Sequence, residues 1–482
     1  MKSGVLSSGA ATRLTSAMQE KRKRHLFETL DGKSILMSAD WSAGDHAVIE
    51  FCDVSFAVET ALSRQLDVLT GLANRSALMT RLNEYVVSRS RGAVIYIDLD
   101  RFKFVNDTLG HPVGDALLKL VAERISRLLG PHDLLARVGG DEFVILQSSE
   151  EQPLAAETLA RKLIDIVGRT YLVHGHTVQI GASVGIALIG VDGENVTELV
   201  KNADLALFKA KTGGRATYRF FTDAMDRESQ ARRAMEIELR RAMVMKEFSL
   251  VYQPQFEIEG SRLVGFEALI RWSTPDRGHV SPAAFIPLAE EIGMIGQLGE
   301  WVLRTACAEA ASWPAPLSVS VNLSPLQFKN PKLVDTIVSA LSNAGLPASR
   351  LDLEITEGAL MDDTDTVVAM LEEIKKLGMK VSLDDFGTGY SSLSYLQKFP
   401  FDKIKIDQSF VRSLESSPDS VAIVRAVTAL GKSLGIMTIA EGVETENQLR
   451  QIAEEGCGQV QGYLTGKPLS PADAATLIKT QH

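Results

Sequence analysis

Cysteine is scarce in this chain: Cys52, Cys307 and Cys457 are the only three in 482 residues, and they lie far apart. An odd, scattered set excludes a disulfide framework and fits reduced thiols. No Cys or His cluster has the spacing of zinc ligands, and His174 and His176 flank Gly175, where a hairpin turn is the simpler reading. Long apolar runs are missing too, since no stretch approaches the ~20 residues of a membrane span. The basic run Lys21 to Arg24 is followed by neither an apolar segment nor a small-residue cleavage site. These absences predict a cytoplasmic chain with no transmembrane segment. Positive charge is also short: the formal net charge is -10. Phosphate neutralisation dominates the binding of nucleic-acid polymers, so that partner is excluded, and any anionic ligand must meet locally placed cations.

What is present is ordinary globular composition, with 45% hydrophobic and 23% charged residues. The length predicts more than one domain. Residues 1–65 form a short N-terminal segment with a possible strand at Ala47 to Phe51 and a helical stretch through Leu66, similar to the remnant of a PAS-type sensor and a signalling helix. Residues 66–221 mix strands and helices. The run Ala93 to Asp100 reads as a buried strand, Gly114 to Leu129 as a helix, Val178 to Ile189 as a strand, and Val196 to Lys211 as a helix. Leu134 to Val138 and Asp141 to Leu146 are strand-like runs separated only by Gly139-Gly140, which predicts a two-residue hairpin. This is an α+β pattern. Residues 222–246 read as a charged interdomain helix, and in 247–482 strands alternate with helices in the manner of a (β/α)8 barrel.

In that second half, Glu267, Asn322, Glu354, Asp384, Asp385 and Glu441 recur at the C-terminal ends of successive strands, where such a barrel collects its catalytic groups. Two unit charges ~4 Å apart repel by about 4 kcal/mol at an effective dielectric of 20, so converging carboxylates require cations or protons. Oxygen ligands without His or Cys point to Mg²⁺ or Mn²⁺, and a two-metal phosphodiester hydrolysis follows.

The segment Glu267-Ala268-Leu269 followed by Arg271 resembles the signature of EAL phosphodiesterases. The likeness runs from Leu250 to Leu469 through YQPQ at Tyr252, NLS at Asn322, EITE at Glu354, DDFGTGYSS at Asp384, KID at Lys405, EGVE at Glu441 and QGY at Gln461. The resemblance implies a TIM-like α/β barrel hydrolysing cyclic di-GMP to linear pGpG. It makes Glu267, Asn322, Glu354, Asp384, Asp385 and Glu441 metal ligands, with Gln461 beside them. It has Lys405 activating or orienting the attacking water, Gln255 and Arg271 contacting substrate, and Glu357 steadying the loop from Asp385 to Ser392.

In the first half, Gly139-Gly140-Asp141-Glu142-Phe143 is by itself a turn followed by two acids on opposite faces, and Asp98 ends the neighbouring apolar strand. Triphosphate chemistry needs carboxylates for cations and basic groups for phosphates, and Lys103, Lys211 and Arg215 supply the latter. Together with DVLTGLANR at Asp67, DLDRFKFVNDTLGH at Asp98, GDALL at Gly114 and DLALFKAKTGGR at Asp204, this segment resembles the GGDEF family of diguanylate cyclases. That resemblance implies a nucleotidyl-cyclase-like palm with a central antiparallel sheet. Asp98, Asp141 and the Leu99 carbonyl would hold metal, with Mg²⁺ accompanying GTP. Asn106 and Asp115 would read guanine with Glu142 beside them, and Lys103, Lys211 and Arg215 would contact phosphate. Two such domains condense two GTP, which implies a homodimer. The family's product-inhibition motif, Arg-x-x-Asp, reads here Gly130-Pro131-His132-Asp133. A glycine cannot make bidentate phosphate contacts, so tight feedback binding there is not expected.

The combined expectation is a bifunctional enzyme that makes and destroys cyclic di-GMP. The alternatives are a phosphodiesterase with a GTP-binding regulatory GGDEF domain, and a non-catalytic cyclic di-GMP receptor.

Overall fold

Three antiparallel strands come first: β1 (Arg24–Leu30), β2 (Lys33–Trp41) and β3 (Ala47–Asp53) form a meander. The strand expected at Ala47 is therefore the last of three. Most of the helical stretch expected before Leu66 lies outside the described residues, which in this computed structural model are 24–30, 33–41, 47–53, 65–149, 151–314, 316–360, 364–387, 399 and 401–481. The chain divides into two units, Met1–Ala231 and Arg232–His482. The helix Asp223–Met245 runs across the division.

The first unit is built on a six-stranded sheet. Its strands are β4 (Ala73–Asn74), β5 (Gly92–Asp100), β6 (Leu134–Arg137), β7 (Glu142–Ser148), β10 (Gly181–Leu188) and β11 (Tyr218–Phe220). They lie in the order β11-β10-β5-β7-β6-β4, while β8 (Tyr171–Val173) and β9 (His176–Val178) make a separate hairpin. Its turn is His174-Gly175, both at positive φ, as the flanked glycine predicted. The apolar run of β5 is continuous because the strand is covered on both faces. Ile95, Ile97 and Leu99 pack with Leu117, Val121 and Leu163 on one side, and Val94 packs with Leu82, Leu199 and Ala203 on the other. The expected strand Val178 to Ile189 is split, its first residue ending β9 and Gly181 to Leu188 forming β10. The helix expected from Gly114 starts earlier, spanning His111–Ser126.

The expected two-residue hairpin is a four-residue turn, Val138 to Asp141. The Arg137 guanidinium donates to the Gly140 carbonyl at 2.7 Å and pairs with Asp67 at 3.0 Å, which draws the turn open beyond the glycines.

The second unit is a closed ring of eight strands. β12 (Phe248–Glu257), β13 (Leu263–Thr274), β15 (Ser318–Leu323), β16 (Leu351–Thr356), β17 (Lys380–Phe386), β18 (Lys403–Ile406), β19 (Met437–Ala440) and β20 (Gln459–Val460) follow one another around it, with β14 (Gly278–Val280) on the outer edge of β13. An all-parallel barrel was expected, but β12 is antiparallel to both its neighbours, β13 and β20. The short connection from β12 to β13 is the reason, since a parallel pair needs a crossover of a dozen or more residues. Val319, Val321, Leu353, Ile355, Val381, Leu383, Ile404 and Ile406 pack outward into one core with the surrounding helices, including Leu303, Ala306, Ile337, Leu371 and Val424. By strand alternation, the polar residues between them face the interior.

Candidate functional sites

At the C-terminal rim of the ring, Lys405 is the hub. Its ammonium is 1% exposed and lies 2.6 Å from Glu441 Oε1, 2.7 Å from Glu354 Oε2, 3.2 Å from Asp384 Oδ1 and 3.6 Å from Glu267 Oε2. Glu267 is held from the other side: Asn322 Nδ2 donates to Oε1 at 2.7 Å and Gln461 Nε2 to Oε2 at 2.6 Å. Asp385, at φ 54, lies at the register shift in β17 between Leu383 and Phe386, and its amide donates to Asp384 Oδ1 at 3.0 Å. Left-handed backbone at a non-glycine residue is strained and is characteristic of functional turns. Carboxylate oxygens of Asp384, Asp385 and Glu441 lie within 4.8 Å of one another.

All six expected ligands and Lys405 therefore converge. Arg271 lies on β13 four residues past Glu267 and donates to the Ile270 carbonyl. Glu357 is buried directly after β16. Of the loop expected to run from Asp385 to Ser392, residues 388–392 lie outside the described residues. Gln255, expected at the substrate, sits elsewhere. It pairs in register with Gly265, one interior step below the Gln253–Glu267 pair, is 1% exposed, and donates to Gln461 Oε1 at 3.0 Å. From there it touches a rim residue and is covered from the open end. Gln253, quoted above only as part of a motif, is the β12 residue at rim level, where its Oε1 accepts from Gln461 at 3.2 Å.

Protonation follows from crowding. Burial, with Glu267 and Asp384 adding to it against Lys405, drives the Glu354 carboxyl well above its usual range. Glu441, partly open at the rim, is pushed up to about 8 by burial, with Lys405 opposing and Asp384 and Glu267 reinforcing. Glu267 is buried as well, yet Lys405, Gln461 and Asn322 hold it below the usual carboxylate range. Five carboxylates, those of Glu267, Glu354, Asp384, Asp385 and Glu441, face one ammonium. The formal excess of four negative charges is what two divalent cations neutralise, and an all-oxygen donor set suits Mg²⁺ or Mn²⁺. The residues present fit such a pair.

In the first unit, Asp98 lies in the last three residues of β5 opposite Glu142 of β7, and Lys211 Nζ lies 2.6 Å from Asp98 Oδ2. Burial pushes the Asp98 carboxyl up to about 6, with Lys211 opposing and Asp141 and Glu142 adding their repulsion. Glu142 Oε2 accepts from Tyr96 OH at 3.1 Å, and a Cβ on Gly139 would stand 2.6 Å from that oxygen, so the glycine leaves the acid room in this position. The Leu99 amide donates to the Asp141 carbonyl at 3.3 Å, joining the turn to the end of β5. Gly114 plays the same part toward Asn106, whose Oδ1 would lie 1.9 Å from a Cβ there, and exposed Asp115 follows it in the helix. Lys103 is exposed at the start of the helix Phe102–Leu109. Arg215, at φ 62, lies on the loop after the helix Val196–Thr212. That loop is fixed by Asp100, which accepts from the Ala216 amide and from Ser183 Oγ. Tyr96 and Asp100 were not singled out in the sequence. Both lie on β5 at one-residue alternation from Asp98, which is the signal that could have found them. Asp133, in the altered inhibition motif, bonds the Gly130 and Ser148 amides with its two oxygens, so it closes its own turn.

Comparison with known families matches residues 64–217 to "Diguanylate cyclase, GGDEF domain" and residues 236–468 to "EAL domain". The bifunctional diguanylate cyclase/cyclic di-GMP phosphodiesterase MucR of Pseudomonas aeruginosa is 43% identical over 84% of this chain and 60% of its own. The cyclic di-GMP phosphodiesterase NbdA of the same organism is 39% identical over 97% of this chain and 59% of its own. Among solved structures, the EAL enzyme Bd1971 in its cAMP-bound form matches with TM-score 0.51 and 28% identity, covering 64% of this chain and 83% of that one. The chain spans about half of the first curated relatives it matches, 50% and 52% of two of them. Among the described residues, no helix is long and apolar enough to cross a membrane.

Proposed function

The chain carries a GGDEF domain and an EAL domain in tandem, and from that we propose that it turns over cyclic di-GMP, hydrolysing it to pGpG in the second unit and condensing GTP to it in the first. The observation that carries the hydrolytic half is the convergence of four carboxylates on Lys405 at one end of the ring, with Asp385 beside Asp384 and Glu441. Glu267, Asn322, Glu354, Asp384, Asp385 and Glu441 would hold Mg²⁺ or Mn²⁺. Such ions supply Lewis-acid polarisation of the phosphoryl oxygens.

The chain's own residues do the rest. Lys405 lies against Glu441 and Asp384, and from there its N–H groups orient a water toward the phosphorus. With cations at the rim to hold it ionised, Glu441 would accept a proton from that water. Gln461 and Asn322 fix both Glu267 oxygens, so the ring keeps its geometry as charge develops. Arg271, on the outer part of β13, neutralises a substrate phosphate.

In the first unit, Asp98 and Asp141 would hold Mg²⁺ with GTP, Lys103, Lys211 and Arg215 would face the phosphates, and Asn106 and Asp115 the guanine edge. Condensation requires two such faces and hence two copies of the chain. Supporting a cytoplasmic setting are the free cysteines and the nucleotide substrates. A regulatory GGDEF domain is the second reading, favoured by the Lys211–Asp98 pair, which occupies the carboxylate that metal would need.

One product assay separates these readings. The Glu267→Ala chain, given GTP and Mg²⁺, accumulates cyclic di-GMP if the first unit condenses GTP. If it makes none while GTP still alters hydrolysis by the wild type, the first unit is regulatory.

A further inference from the structure

Directly beneath the rim, the interior of the ring has a second layer that is also polar. Two residues below Asn322, Glu354, Asp384, Lys405 and Gln461 on their strands stand Ser320, Asp352, Ser382, Lys403 and Gln459, and Gln255 is the corresponding residue of antiparallel β12. All six are at most 7% exposed. Strand alternation turns them to the same interior as the rim residues. The contacts agree: Ser382 Oγ donates to Asp352 Oδ1 at 2.6 Å, Lys403 Nζ lies 3.0 Å from Asp352 Oδ2, and Gln255 reaches Gln461. Barrels of this kind ordinarily fill that layer with Val, Ile and Leu.

Three oxygens of this layer, Gln255 Oε1, Ser320 Oγ and Gln459 Oε1, are sealed from solvent and have no hydrogen-bond partner among the described protein atoms, and a fourth, Asp352 Oδ2, has only the Lys403 ammonium beside it. An isolated orphan of this kind costs about 1–3 kcal/mol, and three on one layer are too many to leave unsolvated. We propose that the second layer of the ring is an internal hydration site, in which ordered water molecules bridge Gln255, Ser320, Asp352, Lys403 and Gln459 beneath the carboxylate rim.

Water fits the donor pattern better than a second cation does. Two of the orphans, the Gln255 and Gln459 oxygens, can only accept, whereas the Ser320 hydroxyl and the Lys403 ammonium have hydrogens to give. A water can donate to the first two and accept from the other two. A monovalent cation would face the Lys403 ammonium across Asp352 and could accept from neither donor. The consequence is electrostatic: a hydrated layer screens the excess negative charge of the rim from below, where packed aliphatics would leave it in a low dielectric. The inference goes beyond the proposed hydrolysis and stands independently of it, because it rests on the strand register and the unpaired atoms.

Diffraction from crystals of the full chain at about 1.5 Å or better, a resolution at which ordered waters are visible, tests it without any variant. Expected are density peaks within hydrogen-bonding distance of at least two of the three oxygens, and the loss of one of them in Gln459→Leu. An interior without peaks, with the three oxygens paired directly to protein donors, overturns it. So does a strong anomalous peak on that layer after a thallium(I) soak, which would make it a cation site. Activity plays no part in the readout, so failure of the proposed hydrolysis would leave this result unaffected.

Discussion

At the residue scale, Lys405 and Asp352 show how buried charge is balanced. Lys405 is the only cation paired with the rim carboxylates among the described residues. Removing one partner of a buried ion pair costs about 3–5 kcal/mol because the other is left unpaired. Lys405→Met is therefore expected to lower stability by about that amount in chelator, with Mg²⁺ restoring a larger share than it adds to the wild type. Thermal unfolding with EDTA or Mg²⁺ measures both, and an identical metal response in the two proteins would count against the balance described. Hydrolysis should fall by about 100-fold or more, since the attacking water loses the group that orients it. Asp352 is a cleaner case for pH. Burial works against its charged form, but Lys403 and the Ser382 hydroxyl hold it below the ordinary carboxylate range. A depressed folded-state value contributes stability above the unfolded value and loses it as pH falls through the folded one. Asp352→Asn should accordingly cost about 3–5 kcal/mol at pH 7, with the gap to wild type closing only below about pH 4. Urea denaturation from pH 3 to 8 checks the sign, and a gap that opened on acidification would contradict it.

At the element scale, close backbone approach places the site of the first unit. A Cβ on Gly185 of β10 would lie 2.1 Å from the Ala203 carbonyl and 2.2 Å from the Leu207 amide, so the helix Val196–Thr212 rests on bare backbone. That helix carries Lys211 to Asp98. Gly185→Ala cannot be absorbed by side-chain movement and is expected to destabilise the first unit by about 1–3 kcal/mol or more. It should also weaken GTP binding, since it lifts Lys211 from β5, and isothermal titration with GTP and Mg²⁺ reads the second effect. β12 belongs to this scale as well. As an antiparallel member of the ring it presents Gln253 at the rim and Gln255 below it, the reverse of the order a parallel strand would give.

At the scale of the whole molecule, the two sites are built inside separate units with separate cores. Asp384→Asn is expected to abolish release of pGpG while leaving GTP-dependent formation of cyclic di-GMP within about twofold of wild type, on the rule that distant sites without shared partners act additively. Loss of both activities in the one variant would show that the units do not work separately. The sequence by itself determined the two-part organisation and the strand ends that carry Glu267, Glu354, Asp384 and Glu441. Periodicity and residue type are local properties, and acids repeated at strand ends have few other uses. Tertiary structure alone decided that β12 runs backwards, that Gln255 lies below the rim, that Asp352 and Lys403 pair beneath it, and that Asp100 ties down the loop bearing Arg215. Each of those depends on register between strands distant in sequence, and a one-residue slip in register turns a side chain to the opposite face.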